Sequence, residues 1–241
     1  MGGRRRPRDS GCRQAASMEL ANSLPLLFAP SVTVAAGLLR SEVELGPSET
    51  MRMLSARHHR RTEFASGRSY AREALAALGL EAPDIAGDAR HGPDWPAPAV
   101  GSISHAGGFA AAVVALKGSA LSLGLDIEVA VPLPERLVDK ICLPSERAGL
   151  ASPTGDAAKL LFVMKEAVYK AYAPMTGVRL GFHEIEVRPD WAGQRFQALV
   201  AERGNQPQWT ISGRFARLGG LLAAGSWIPP TPATESASTT R

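Results

Sequence analysis

Asp126 and Glu128 stand two residues apart in the run Gly124-Leu125-Asp126-Ile127-Glu128-Val129. Side chains alternate across a strand, so this spacing predicts both carboxylates on one face, about 7 Å apart at Cα, with Leu125, Ile127 and Val129 toward the core. Two such charges repel unless a cation sits between them. Hard oxygen ligands on a rigid strand suit Mg²⁺, which keeps waters and recruits phosphate oxygens. A third carboxylate, Glu166, stands between Lys165 and Lys170 in Phe162-Val163-Met164-Lys165-Glu166-Ala167-Val168-Tyr169-Lys170. Helical spacing predicts a buried stripe of Leu161, Met164, Val168 and Ala171, with Lys165, Glu166 and Lys170 on a different face. Metal-assisted phosphoryl transfer uses such a set: a carboxylate to complete the metal shell and accept a hydroxyl proton, and ammonium groups to neutralise the leaving phosphate. Each segment alone has a plainer explanation. The strand pair suits a solvent-facing strand decorated with acids, and a Glu–Lys pair at i, i+4 is a common surface-helix stabiliser.

Arg60, Phe64, Arg68 and Arg72 follow at steps of four and form one ridge along a helix. Guanidinium forks suit phosphate oxygens, although Glu63 and Glu73 allow a solvated, partly balanced face. His105 closes Gly101-Ser102-Ile103-Ser104-His105, where it could contact a phosphate or be an ordinary turn histidine. Arg90 lies in a loop and is unremarkable by itself.

The elements that must position these groups mix helices and strands. Helix is predicted over 48–80, in one or two pieces, over 134–143 and 145–151, and over 157–172, where Pro174 stops it. Strands are predicted over 100–104 and 110–116 around a Gly107-Gly108 turn, then over 121–129, 185–187, 196–200, 209–215 and 221–228. Helix followed by strands occurs twice. The fold class is therefore α+β, with two similar halves meeting near residue 120. The predicted organisation is a disordered basic tail over 1–17, an N-terminal half over 18–119, a C-terminal half over 120–228 and a disordered Pro/Thr/Ser tail over 229–241. Met18 offers an alternative start.

Composition excludes several classes. No apolar run reaches membrane-spanning length, and two cysteines, Cys12 and Cys142, make neither a disulfide framework nor a zinc site, which points to the cytoplasm. Arg4, Arg5, Arg6, Arg8 and Arg13 against Asp9 alone account for the whole net charge of +4. The globular part is formally neutral, which argues against a nucleic-acid partner.

Read in order, the segments resemble the two-halved, broad-specificity and siderophore-synthetase-associated 4'-phosphopantetheinyl transferases. The matching pieces are Arg60-Arg61-Thr62-Glu63-Phe64 with Gly67-Arg68, Gly101 through His105, Gly124 through Glu128, and Phe162 through Lys170; Trp95-Pro96, Pro144-Ser145-Glu146-Arg147 and Leu180-Gly181-Phe182 link them. The resemblance implies a pseudo-twofold arrangement of two small, mainly antiparallel sheets packed with helices, with coenzyme A as substrate in the cleft between them. It implies that Asp126, Glu128 and Glu166 bind Mg²⁺ (Mn²⁺ also suits), with Glu166 the base. Lys165 and Lys170 would contact the pyrophosphate. Arg60, Arg68, Arg90, Ser104 and His105 would hold the phosphates of coenzyme A. Arg90 stands where many relatives carry lysine, and Ala106 where others carry cysteine. The implied reaction moves phosphopantetheine to a serine of an apo acyl or peptidyl carrier protein and releases adenosine 3',5'-bisphosphate, in siderophore, polyketide or nonribosomal peptide biosynthesis. The two halves would suffice as a monomer. The alternative is a non-catalytic coenzyme A-binding protein on the same scaffold.

Overall fold

Two antiparallel sheets meet edge to edge in the computed structural model, which describes residues 8–88, 92–150, 156–202 and 207–230. The N-terminal half holds α1 (Arg8–Ser23), β1 (Thr33–Leu38), α2 (Pro47–Arg52), α3 (His58–Ala76), a two-residue ladder of β2 (Gly87–Asp88) and β3 (Gly92–Pro93), β4 (Ala99–Ala106) and β5 (Phe109–Leu116). The C-terminal half holds β6 (Ser122–Val129), α4 (Glu135–Ile141), α5 (Pro144–Ala148), α6 (Asp156–Thr176), β7 (Ile185–Asp190), β8 (Arg195–Val200), β9 (Trp209–Leu218) and β10 (Leu221–Ile228). The sheet orders are β1-β5-β4 and β6-β10-β9-β8-β7. This is the expected α+β architecture of two helix-backed sheets.

Each half has one long helix lying on its sheet. Tyr70, Ala71, Ala74 and Leu75 of α3 pack on Ala110, Ala112 and Val114 of β5. Leu161, Met164, Val168 and Ala171 of α6 pack on Ala198, Ile211, Leu222 and Ala224. A third cluster fills the space between the halves, where Val113 and Ala115 meet Leu123, Leu125 and Ile127. Strand β5 is thus covered on both faces, which explains its unbroken apolar run where a half-exposed strand would alternate.

The seam has a specific chemistry. Strands β4 and β6 are edges of different sheets, so outward backbone groups on β6 lack ladder partners. Ser102 Oγ accepts the Leu125 N–H at 3.0 Å, and Ser104 Oγ accepts the Ile127 N–H at 3.0 Å. Two hydroxyls spaced by two residues replace a backbone ladder and fix the register of one half against the other.

Three expectations need correction. Residues 8–17, expected within a disordered tail, form the first part of α1. Ala16, Leu20 and Leu24 recur at helical spacing and pack into the cluster between the sheets, and this apolar spacing outweighs the basic composition. Helix α6 continues through Pro174 to Thr176, because a proline in the last turn removes only one terminal hydrogen bond. Val129, expected in the core, is 39% exposed at the end of β6. Residues 1–7 and 231–241 lie outside the described residues, as does Arg90. No described helix is long and apolar enough to cross a membrane.

Candidate active site

Helix α6 reaches β6 unusually closely, and glycine allows it. A Cβ at Gly124 would collide with the Ala167 carbonyl oxygen, which also accepts a hydrogen bond from Ser226 Oγ at 2.9 Å. Close approach here sets Glu166, the neighbour of Ala167, beside the carboxylates of β6. On α3 the same device operates: a Cβ at Gly67 would press on Ile103 of β4.

Asp126 is buried at the seam. Its Oδ1 accepts from Lys170 Nζ at 2.8 Å and from Ser104 Oγ at 3.3 Å, while Oδ2 is buried without a hydrogen-bond partner. Burial pushes the Asp126 carboxyl above the usual carboxylate range, Lys170 opposes that rise, and Glu128 adds to it. Glu166 is also raised, first by burial and then by the negative charge of Asp126. Asp126 and Glu166 therefore each feel neighbouring carboxylate charge. Glu128 is bound by Lys159, whose Nζ lies 2.7 Å from Oε2. Among the described residues no group of three or more His, Cys, Asp or Glu side chains is arranged to hold a metal ion. A buried carboxylate oxygen with no donor, flanked by two more carboxylates, is nonetheless a donor set that fits a hard divalent cation.

Lys170 also donates to the Leu125 carbonyl at 3.0 Å and lines a cavity of about 530 Å³ between the halves. Trp95, Ile103, Leu121, Tyr169 and Met175 supply its apolar walls. A second, basic pocket of about 150 Å³ shares Gly92, Pro93 and Ile103 with the first and is lined by Arg52, Arg60, Arg68 and His105. Arg68 is buried, donates to the carbonyls of Ile85 and Ala86 at 3.0 and 3.3 Å, and lies against the Phe64 ring. Burial lowers its pKa to about 10. Arg60 Nη1 donates to His105 Nε2 at 2.6 Å, which puts the ring proton on Nδ1, 3.4 Å from Glu63 Oε1. Burial lowers the His105 pKa, against the pull of Glu63. The ring is held neutral between an arginine and a glutamate.

Family comparison decides the affiliation. A family model described as the 4'-phosphopantetheinyl transferase N-terminal domain matches residues 49–115, and the model of the 4'-phosphopantetheinyl transferase superfamily matches residues 122–216. The 4'-phosphopantetheinyl transferase Svp of Streptomyces mobaraensis is 42% identical over 204 residues, covering 80% of this chain and 83% of the relative. The chain belongs to the 4'-phosphopantetheinyl transferase family. PptT of Mycobacterium tuberculosis is 36% identical over 176 residues, covering 68% of this chain and 77% of the relative. Enterobactin synthase component D of Salmonella typhimurium is 31% identical over 199 residues, covering 77% and 80%.

Within this phosphopantetheinyl transferase, the predicted site residues divide. Asp126, Glu128, Glu166 and Lys170 come together at the seam, and Arg60, Arg68 and His105 come together in the basic pocket. Lys165 does not join either group. It is fully buried, pairs with Glu146 at 2.7 Å and donates to the carbonyls of Ile141 and Phe182 at 2.8 and 2.9 Å. Its ammonium is committed on the far side of α6, so the expected pyrophosphate contact is corrected. Ser104 is likewise committed to Ile127, Asp126 and Lys170. It positions the site and does not face the phosphate pocket.

Sequence reasoning missed Glu49, Glu146, Arg52 and Lys159. Glu49 accepts the N–H groups of Gly46 and Ile85 at 2.8 and 3.0 Å and pairs with Arg68 and Arg72. Glu146 accepts those of Leu143 and Val187, each at 2.7 Å, and pairs with Lys165. Both are the third residue of a Pro-Ser-Glu run, 47–49 and 144–146. Each carboxylate closes the start of a short helix, binds a backbone N–H distant in sequence and receives a cation from the long helix of its own half. That repeated triplet is a sequence signal of the two-halved fold.

Proposed function

We propose that this chain transfers the 4'-phosphopantetheine moiety of coenzyme A to a serine hydroxyl of an apo acyl or peptidyl carrier protein, with Mg²⁺, releasing adenosine 3',5'-bisphosphate. The observation that carries this reading is the partnerless, buried Asp126 Oδ2, within the field of Glu166 and Glu128 and bonded through its other oxygen to Lys170, which lines the larger cavity beside the arginine pocket. Asp126, Glu128 and Glu166 would hold Mg²⁺, and Mn²⁺ suits the same oxygens. When bound, the ion would offset negative charge on the pyrophosphate oxygens.

The chain's own groups do the rest. Arg52, Arg60 and Arg68 supply fixed guanidinium donors for the phosphates of coenzyme A, and His105 presents a ring nitrogen among them. The apolar cavity beside Lys170 has room for the pantetheine arm. Lys170 stands where it can steady the leaving α-phosphate while remaining near Asp126. Glu166 takes the proton of the carrier serine, whose oxygen attacks the β-phosphorus in line. Its raised pKa brings the carboxylate nearer to a useful base. The nucleophile belongs to the carrier, so this chain needs none.

Both walls of the cleft come from one chain, which supports a monomer; the cytoplasm remains the compartment that two cysteines without a disulfide framework suggest. The similarity to enterobactin synthase component D makes siderophore-synthetase carriers the first to assay, beside polyketide and fatty-acid carriers. Incubation with coenzyme A, Mg²⁺ and an apo-carrier should add one phosphopantetheine arm to the carrier's mass and release the bisphosphate. Tight coenzyme A binding with no mass gain on any carrier class would instead indicate a binding protein.

A further inference from the structure

Lys159 sits in the first turn of α6, two turns before Glu166 and therefore on the same side of the helix. Unlike a typical solvated surface lysine, it is only 12% exposed. Its ammonium lies 2.7 Å from Glu128 Oε2 and 4.7 Å from the centre of the Phe162 ring, which in turn packs on Phe182. Along α6 the row Lys159, Glu166, Lys170 faces the row Glu128, Asp126 on β6. Lys159 bonds Glu128, Lys170 bonds Asp126, and Glu166 lies between them. Lys170 belongs to the reaction already described, whereas nothing in that reaction uses Lys159.

We propose that Lys159 is a positioning residue that competes with the divalent ion for Glu128 and so keeps the ion weakly held until coenzyme A joins it. This rests on the metal assignment just given. An ammonium on Oε2 occupies a lone pair that a metal would use and adds like charge beside it. An opposite charge at this range lowers a carboxylate's affinity for a proton by about 10-fold to 1,000-fold, and a divalent cation meets the same repulsion. Glu128 is about one-third exposed, so the smaller effect applies. Phosphate oxygens arriving with coenzyme A bring negative charge of their own, which makes up the deficit and couples the two binding events.

The test is a Mn²⁺ titration followed by electron paramagnetic resonance of the free ion, without and with coenzyme A. Lys159→Gln and Lys159→Met should bind Mn²⁺ about tenfold more tightly than wild type in the absence of coenzyme A, and should gain less when it is added. Lys159→Arg keeps the charge and should stay near wild type. In a Glu128→Gln background the effect of Lys159→Gln should vanish, which isolates the pair. Thermal melts by circular dichroism verify that each variant is folded. Lys159 variants that bind Mn²⁺ no more tightly than wild type overturn this inference alone. Wild-type protein that takes up no Mn²⁺, with or without coenzyme A, overturns the metal assignment as well.

Discussion

Lys165 Nζ lies 2.7 Å from Glu146 Oε2 with both side chains withdrawn from solvent. Burial lowers the lysine's pKa, and Glu146 opposes that shift. Removing one partner leaves a buried charge unmatched, at a cost of about 3–5 kcal/mol. Lys165→Met should therefore unfold at markedly lower urea. Whatever protein stays folded should keep its KM for coenzyme A. A variant of normal stability with a raised KM would return Lys165 to the phosphate site.

Gly124→Ala tests the close packing of α6 on β6. The added methyl meets the Ala167 carbonyl, so the helix must shift, at a cost of roughly 1–3 kcal/mol. Because Glu166 is displaced with Ala167, activity should fall by about 100-fold even in the folded fraction. Unchanged turnover would show that the helix position is not what sets the carboxylate geometry.

Glu166 gives the pH dependence. Its folded-state pKa lies above the ordinary carboxylate value because of burial and Asp126, and the base must be ionised to act. In the metal-free protein Glu166 should therefore titrate above the ordinary carboxylate range, and a bound divalent ion, favouring the ionised form, should move that titration to lower pH. The stability sign is opposite to that of a salt-bridged acid. Between the ordinary and raised values the folded state binds the extra proton, so stability declines as pH rises through that window. Glu166→Gln should consequently withstand more urea than wild type at neutral pH while losing turnover. A Glu166→Gln protein less stable than wild type would contradict the burial account.

His105 should take up a proton when phosphate arrives. Burial and the nearby cations Arg60 and Lys170 hold its pKa down. A dianionic phosphate drawing Arg60 away would remove the donor now on Nε2. Calorimetry of coenzyme A binding near pH 7, in buffers of different ionisation enthalpy, should show proton uptake that His105→Gln abolishes. Equal uptake by that variant would place the titrating group elsewhere.

How much of this was legible in the chain depends on local spacing. The alternation in Leu125-Asp126-Ile127-Glu128 needs only a strand to bring two acids to one side, and the long helix brings Glu166 and Lys170 to a common side whatever surrounds it. Lys165 was misread because its position depends on what covers α6. A lysine between Met164 and Glu166 looks solvated until α5 presents Glu146 from the other side. Helix α1 was hidden by the arginines ahead of it, since its apolar positions are few and mean something only against the seam. Arg52 and Lys159 converge through tertiary contacts alone. The two Pro-Ser-Glu runs were visible but far apart, and a triplet carries weight only once both are seen to bind a buried cation.

The most direct test of the central claim is the Mg²⁺ dependence of carrier modification, read by intact-carrier mass, for wild type and Asp126→Asn at matched coenzyme A. Wild type should convert the carrier only when Mg²⁺ is returned after chelation, and Asp126→Asn should convert less than about one-thousandth as fast while remaining folded. Full conversion by Asp126→Asn, or by chelated wild type, would contradict the assignment of this carboxylate to the metal.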